Sequence, residues 1–215
     1  KKKLPITTML YALGFSRNKI INLFYTSNKY ILDSDSKKWK TNFNPEDFKR
    51  PIKLTSDIYD ARSNKKILAK GEKLNLVIAR KLQEKGLKEI LIHQSELIGR
   101  YTSEDIKDQN GDMILESGFN ITDEILEKIN LKKISQLSLV NIDLINKGPY
   151  LLETLKIDKN NNKEDALNDI YKVIRPGEAP TMEVAEEVFK NLYFSKERYD
   201  LSEVGRVKLN SKLTF

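Results

Sequence analysis

The sequence predicts an α+β protein, a helical part built from both chain ends and interrupted by a β-rich insert. Three observations carry this expectation. Helical periodicity governs residues 4–25 and the chain after about 146; strand-like residues fill the stretch between; that stretch repeats itself weakly with a shift of 47 residues. The expected boundaries are 1–27 and 143–215 for the helical part and 28–142 for the insert. Such insertions occur where the two ends of the host lie close together.

Residues 4–25 read as a helical hairpin. Pro5 suits a first helical turn, Ile6, Met9, Leu10 and Leu13 share a face, and Gly14 ends the helix. Ser16 caps the next helix, whose face is Ile20, Ile21, Leu23 and Phe24. At Ser27-Asn28 the character changes. Tyr30-Ile31-Leu32, Lys38-Trp39-Lys40 and Phe43 read as short strands joined by Asp33-Ser34-Asp35-Ser36. Trp39 fits either a stacking platform or a core position, and a lone Trp in a strand is more often core.

In the repeat, Gly71 pairs with Gly118, Leu74 with Ile121, Ile78 with Ile125, Leu82 with Ile129 and Leu87 with Ile134. Each copy reads strand, turn, strand, glycine, short helix, strand, as expected of a duplicated half-barrel unit completing one core. Asn110-Gly111 between Ile106 and Met113 signals a two-residue hairpin. Asp108, Asn110 and Gly111 mimic part of a calcium loop, but its first and last ligands would be Ile106 and Ser117, and neither serves. Asn120-Ile-Thr122 matches a glycosylation acceptor; without evidence of secretion it is the start of a helix capped at Thr122.

After a break at Asn146-Lys-Gly-Pro149, Tyr150–Leu155 forms a short helix, and Asp158–Lys163 is a polar turn. The helix from Glu164 carries Ala166, Leu167, Ile170 and Val173 on one face and ends at Ile174, because Pro176 disfavours helical geometry in the residue before it. Arg175, Gly177 and Glu178 then occupy a rigid turn. Thr181 caps a helix with the stripe Val184, Ala185, Val188, Phe189 and Leu192. A turn over Ser195–Asp200 leads into a last helix with Leu201, Val204, Val207 and Leu209.

Composition narrows the function. The 215 residues hold 38 Lys and Arg against 31 Asp and Glu, a net charge of +7 that fits an anionic partner or simple solubility. With no cysteine and His93 the only histidine, disulfides, thiolate metal sites and a Ser-His-Asp triad are excluded. No run approaches the ~20 apolar residues that span a bilayer, so no membrane partner is expected. The basic start Lys1-Lys2-Lys3-Leu4-Pro5 lacks the apolar core of a signal peptide. Opening without Met and stopping in a helical pattern, the chain is expected to be a piece of something longer.

Several motifs combine to resemble one family. They are Ile174-Arg-Pro-Gly-Glu-x-Pro-Thr181, Asn191-Leu-x-Phe-Ser195, Arg198-Tyr-Asp-Leu201, Val204-Gly-Arg206, Lys3-Leu-Pro-Ile-Thr-Thr-Met-Leu-Tyr-Ala-Leu-Gly14 and Gly148-Pro-Tyr-Leu-Leu-Glu-Thr-Leu155. Together they resemble the bacterial DNA-directed RNA polymerase β subunit, most strongly over 1–25 and 146–213. The resemblance implies an internal fragment of a nucleotidyltransferase subunit: the helical parts as a portion of the β2 or lobe domain, the insert as the peripheral "external 1" domain. The lobe lines the DNA cleft and touches downstream duplex and non-template strand, with Arg175, Glu178, Arg198, Lys1, Lys2 and Lys3 as the DNA-binding residues. Implied partners are DNA and the α, β′, ω and σ subunits, in the cytoplasm. The fragment is expected to hold no catalytic residue, metal or cofactor, the magnesium of the parent enzyme belonging to β′.

Side-chain chemistry fits those roles. Arg can fork onto phosphate or a guanine edge, and Glu can accept from a cytosine amino group or orient the Arg. An Arg–base contact carries ~1–3 kcal/mol of discrimination, whereas phosphate contacts set position. Structural alternatives stand beside these: an ion pair of Arg198 with Asp200 or a helix terminus, and stabilisation of a helix N-terminus by Glu178. The insert has few aromatic residues beyond Trp39, Tyr59, Tyr101 and Phe119 and mixed charges, so a protein-interaction scaffold is the competing function.

Overall fold

A computed structural model of the chain describes residues 3–33, 37–142, 147–198 and 200–213. It is α+β with antiparallel sheets, and it divides into two compact units, Ser16–Lys159 and Lys1–Phe15 with Asn160–Phe215. The linker Ser34–Ser36, and with it that part of the expected strand connection, lies outside the described residues.

The first unit is built on a six-stranded antiparallel sheet in the order β10-β1-β2-β7-β4-β5. These are β1 (Ser27–Asp33), β2 (Lys38–Asn42), β4 (Ile58–Asp60), β5 (Lys66–Leu68), β7 (Glu89–Ile92) and β10 (Gln136–Val140). The ladders β3 (Ile52–Lys53) with β6 (Lys73–Leu74) and β8 (Ile106–Lys107) with β9 (Met113–Leu115) lie outside it. Register sets Leu32 opposite Trp39 and Trp39 opposite Ile92; one step along, Tyr30 faces Thr41 and Thr41 faces Ile90. Because side chains alternate with period two, both rows share a face. That face is the core. Helices α3 (Leu76–Glu84) and α4 (Asp123–Leu131) contribute Ala79, Leu126 and Ile129 to it. Trp39 is fully buried there, so the core alternative holds and the stacking one does not.

Local chemistry explains the boundaries. Asn75 accepts from the Ile78 N–H at the start of α3, and Thr122 accepts from the Ile125 N–H at the start of α4. The glycosylation-like triplet therefore ends in a helix cap. The Asn110-Gly111 hairpin does connect β8 to β9, but through a five-residue loop, 108–112, in place of the expected two. Asp108 causes this. Its Oδ1 accepts from the Asn110 and Asp112 N–H groups, and its Oδ2 pairs with Lys132 Nζ at 2.9 Å. The carboxylate of the calcium look-alike is thus occupied by the protein, and Lys132 holds it below the usual carboxylate range.

The unit is wider than the insert expected over 28–142, because α2 (Arg17–Phe24) and α5 (Tyr150–Ile157) belong to it. Arg17 on α2 donates to Glu116 Oε2 at 3.1 Å and to the Leu155 carbonyl at 3.0 Å. Tyr25 donates to the Gly148 carbonyl at 2.7 Å, and Tyr101 to Glu153 Oε1 at 2.6 Å. That last bond, with burial, pushes Tyr101 up to about 12.

The second unit packs α1 (Ile6–Ala12) against α6 (Lys163–Ile174) and α6 against α7 (Met182–Tyr193). The helical hairpin expected over 4–25 is present as two helices, but they fall in different units. Its expected face is also displaced. α1 buries Thr7, Thr8, Tyr11 and Ala12, while Ile6 is 62% and Leu13 40% exposed. The buried set lies on the opposite side of the helix from the expected stripe, a rotation of about 180°. Small side chains let α1 approach its partner, and the Thr8 hydroxyl accepts from Asn160 Nδ2 at 3.4 Å. On α2 the expected stripe is half right: Ile20 and Ile21 are buried, whereas Leu23 and Phe24 are exposed. α6 buries Tyr171 beside Ala166, Leu167 and Ile170, and α7 buries only Ala185 and Phe189. The last helix, α8 (Glu203–Leu213), has no buried residue, so Val204, Val207 and Leu209 do not form the expected stripe.

Two measurements check this packing. Gly118 has φ +81°, and a Cβ there would lie 3.2 Å from Ile21 Cδ1, whereas Gly111 at φ +90° has open space around it. Urea unfolding should therefore show Gly118→Ala losing about 2–3 kcal/mol and Gly111→Ala about 1–2. Equal losses would mean that Ile21 gives way freely. Limited proteolysis is expected to leave a product of about 16–159, and trimming to 28–142 would show α2 and α5 to be dispensable to it.

Candidate functional site

The corner between α6 and α7 is set by backbone chemistry. Asn162 caps α6, accepting from the Asp165 N–H at 2.8 Å. Helical geometry stops at Ile174, as Pro176 requires, and Arg175 sits at φ −124°, ψ 82° with its N–H still bonded to the Tyr171 carbonyl at 2.8 Å. Gly177 takes φ +91°, a left-handed conformation that a side chain would strain. Thr181 then caps α7, accepting from the Val184 N–H at 3.4 Å. The chain reverses in a few residues and presents Arg175 and Glu178 together.

Glu178 is held twice. Tyr171, one helical turn before Arg175 and buried, donates its hydroxyl to Glu178 Oε2 at 2.6 Å. Arg175 Nη1 lies 3.9 Å from the same oxygen, and its guanidinium stands 5.9 Å from the Tyr171 ring centre. The carboxylate raises the Tyr171 pKa above its ordinary value of 10.0, since a phenolate beside it would lose the hydrogen bond and face a like charge. The Arg175 and Glu178 side chains are 53% and 59% exposed. Their pair adds only about 0.2–1 kcal/mol to stability. The guanidinium faces solvent with donors to spare. Tyr171 was not among the expected site residues; its place four positions before Arg175, on the same helix face, was the available signal.

The other expected residues are more dispersed. Arg198 is exposed in the turn after α7, its N–H donating to the Ser195 carbonyl at 3.2 Å. Asp200 pairs with Arg206, at 4.0 Å, in place of the Arg198–Asp200 pair. Glu178 lies ahead of α7 but pairs with Arg175 and Tyr171, while the cap is made by Thr181. Lys3 is exposed; Lys1 and Lys2 lie outside the described residues.

His93 Nδ1 accepts from the Ser95 N–H at 3.3 Å, capping the 3-10 turn Gln94–Leu97. Among the described residues no three of His, Asp and Glu gather to hold a metal ion, and no helix is long and apolar enough to cross a membrane.

Residues 113–215 match the family model described as RNA polymerase Rpb2, domain 2. Over 99% of the chain, it is 41% identical to the DNA-directed RNA polymerase subunit beta of Rhizobium leguminosarum bv. trifolii and 44% identical to that of Rickettsia massiliae. The subunit of Ehrlichia canis is 41% identical over the same share. Along nearly its whole length the chain is thus similar to bacterial RNA polymerase β subunits. It spans about 15% of the length of these relatives.

The Tyr171–Glu178 bond predicts a titration. Following the Tyr171 ring carbon by NMR, the wild-type phenol should ionise above 10.0 and Glu178→Gln should bring it back toward that value. A tyrosine whose pKa rises on folding adds stability that is present below pH 10.0 and lost as the pH climbs through the folded-state value. An unchanged titration in Glu178→Gln would remove the bond from the corner.

Proposed function

We propose that the chain serves as part of the β subunit of a cytoplasmic DNA-directed RNA polymerase, which joins ribonucleoside triphosphates into RNA on a DNA template. In this reading residues 1–27 and 143–215 are lobe and 28–142 the inserted domain, names that refer to regions of the family and not to compact units. The lobe lines the DNA cleft. The chain contributes no catalytic residue, and the magnesium of the enzyme belongs to β′, which with α, ω and σ completes the assembly. The observation that carries the reading is identity of 41–44% along 99% of the chain to proteins named as that subunit.

Within it, the exposed Arg175 and Arg198, with Lys1–Lys3, contact the backbone of downstream duplex or non-template strand. Glu178 acts on Arg175 by holding the guanidinium in place, which supports phosphate positioning more directly than base readout. Duplication of an ancestral unit accounts for the 47-residue repeat. Supporting it, α4 and β10 begin 47 positions after α3 and β7, and Gly71 and Gly118 share positive φ.

Fork-DNA binding by the chain tests the contact. Affinity should fall steeply between about 50 and 200 mM salt, and the log–log slope should drop by about 1 for each of Arg175→Ala and Arg198→Ala. Equal affinities and slopes for the wild type and the double variant would remove these arginines from the DNA contact.

A further inference from the structure

The β-rich unit contains a cavity that its core packing leaves open. It has a volume of about 320 Å³, at the lower end of the range for small-molecule sites. Its walls include the end of the sheet's core face, at Tyr30, Thr41 and Ile90, and the stacked rings of Phe43 and Phe48, 5.5 Å apart. Arg100 lines it too.

Two polar groups in this apolar setting lack the partners their burial calls for. Thr41 is 6% exposed, and its Oγ1 has no hydrogen-bond partner among the described residues. A buried hydroxyl left unpaired is costly and uncommon in native proteins. Arg100 is half-buried. Its Nε donates to the Glu96 carbonyl at 2.7 Å and its Nη1 to the Tyr30 hydroxyl at 2.6 Å, both uncharged acceptors. No carboxylate pairs with it among the described residues, and its guanidinium stands 5.5 Å from the Tyr30 ring centre. Three of its five N–H donors remain. The cavity thus joins a guanidinium with no carboxylate partner, an unused hydroxyl and an aromatic wall.

We propose that this cavity binds a small apolar monocarboxylate, its carboxylate on Arg100 and Thr41 and its hydrocarbon body against Phe43, Phe48 and Ile90. The lining argues for one negative charge. Asp47 faces the same space, its Oδ2 3.4 Å from Asn28 Nδ2, and would repel a phosphate dianion. The apolar walls favour a hydrocarbon body over a hydrated polyanion. This site lies wholly in the β-rich unit and is independent of the proposed DNA contact.

Phenylpropionate titrated into the isotope-labelled 215-residue chain tests it, with amide spectra as the readout. Saturable shifts are expected at Thr41, Gly99 and the Arg100 side-chain N–H. The neutral isostere phenylpropionamide should bind about tenfold or more weakly, as a charge-assisted hydrogen bond is lost. Arg100→Met should lose binding by a similar factor. Should that variant misfold, Thr41→Val removes the hydroxyl at constant shape, and it should keep the native spectrum while binding about threefold or more weakly. Absence of saturable shifts in the folded wild type would overturn the proposal. So would equal affinity for carboxylate and amide.

Discussion

One buried sheet face governs the β-rich unit. The six antiparallel strands alternate with period two, so once Trp39 is opposite Ile92 and Tyr30 opposite Thr41, every neighbouring side chain is committed to core or solvent. A one-residue slip of β7 would expose Ile90 and Ile92 together, and one of β2 would expose Trp39; each large apolar side chain is worth about 1.5–3 kcal/mol when buried. α3 and α4 cover that face because their apolar stripes cannot be buried alone. Asn75 and Thr122 fix where each helix begins, and so which residues point at the sheet.

The same constraint explains why this unit extends beyond its strands. Gly118, at positive φ, brings backbone close to Ile21 on α2 and Leu152 on α5. Arg17 then spans α2, Glu116 and the last turn of α5 with two donors of one guanidinium. A planar fork with fixed donor geometry can join three segments in a way that lysine, a point charge, does not. Helices expected to serve the terminal part thus become part of the wall of the β-rich core. Where the wall is incomplete, above Thr41 and Ile90, the cavity remains.

The α6–α7 corner follows different physics. Its charges are exposed, and their attraction is too weak to shape the backbone. Pro176 and Gly177 do that, and Tyr171 anchors the carboxylate from a buried ring. The order is backbone first, buried tyrosine second, exposed ion pair last. A corner built this way keeps Arg175 oriented while leaving it open to a competing anion.

Much of this was legible locally. The end of α6 at Ile174, the Thr181 and Thr122 caps, the buried Trp39 and the α+β class all follow from side-chain and backbone rules acting over a few residues, and the motifs at 174–181 and 198–206 carry the resemblance to the RNA polymerase β subunit. What the sequence could not decide is which face a weakly amphipathic helix turns inward. Ile6 and Leu13 on α1 yield to Thr7, Thr8 and Tyr11, because the fit to α6 and the hydrogen bond to Asn160 outweigh the apolar count. Tyr171 on Glu178, Asp108 with Lys132 and the cavity that Arg100 and Thr41 both line likewise belong to tertiary structure. Each depends on where a side chain several or many residues away ends up, and no local pattern carries that distance.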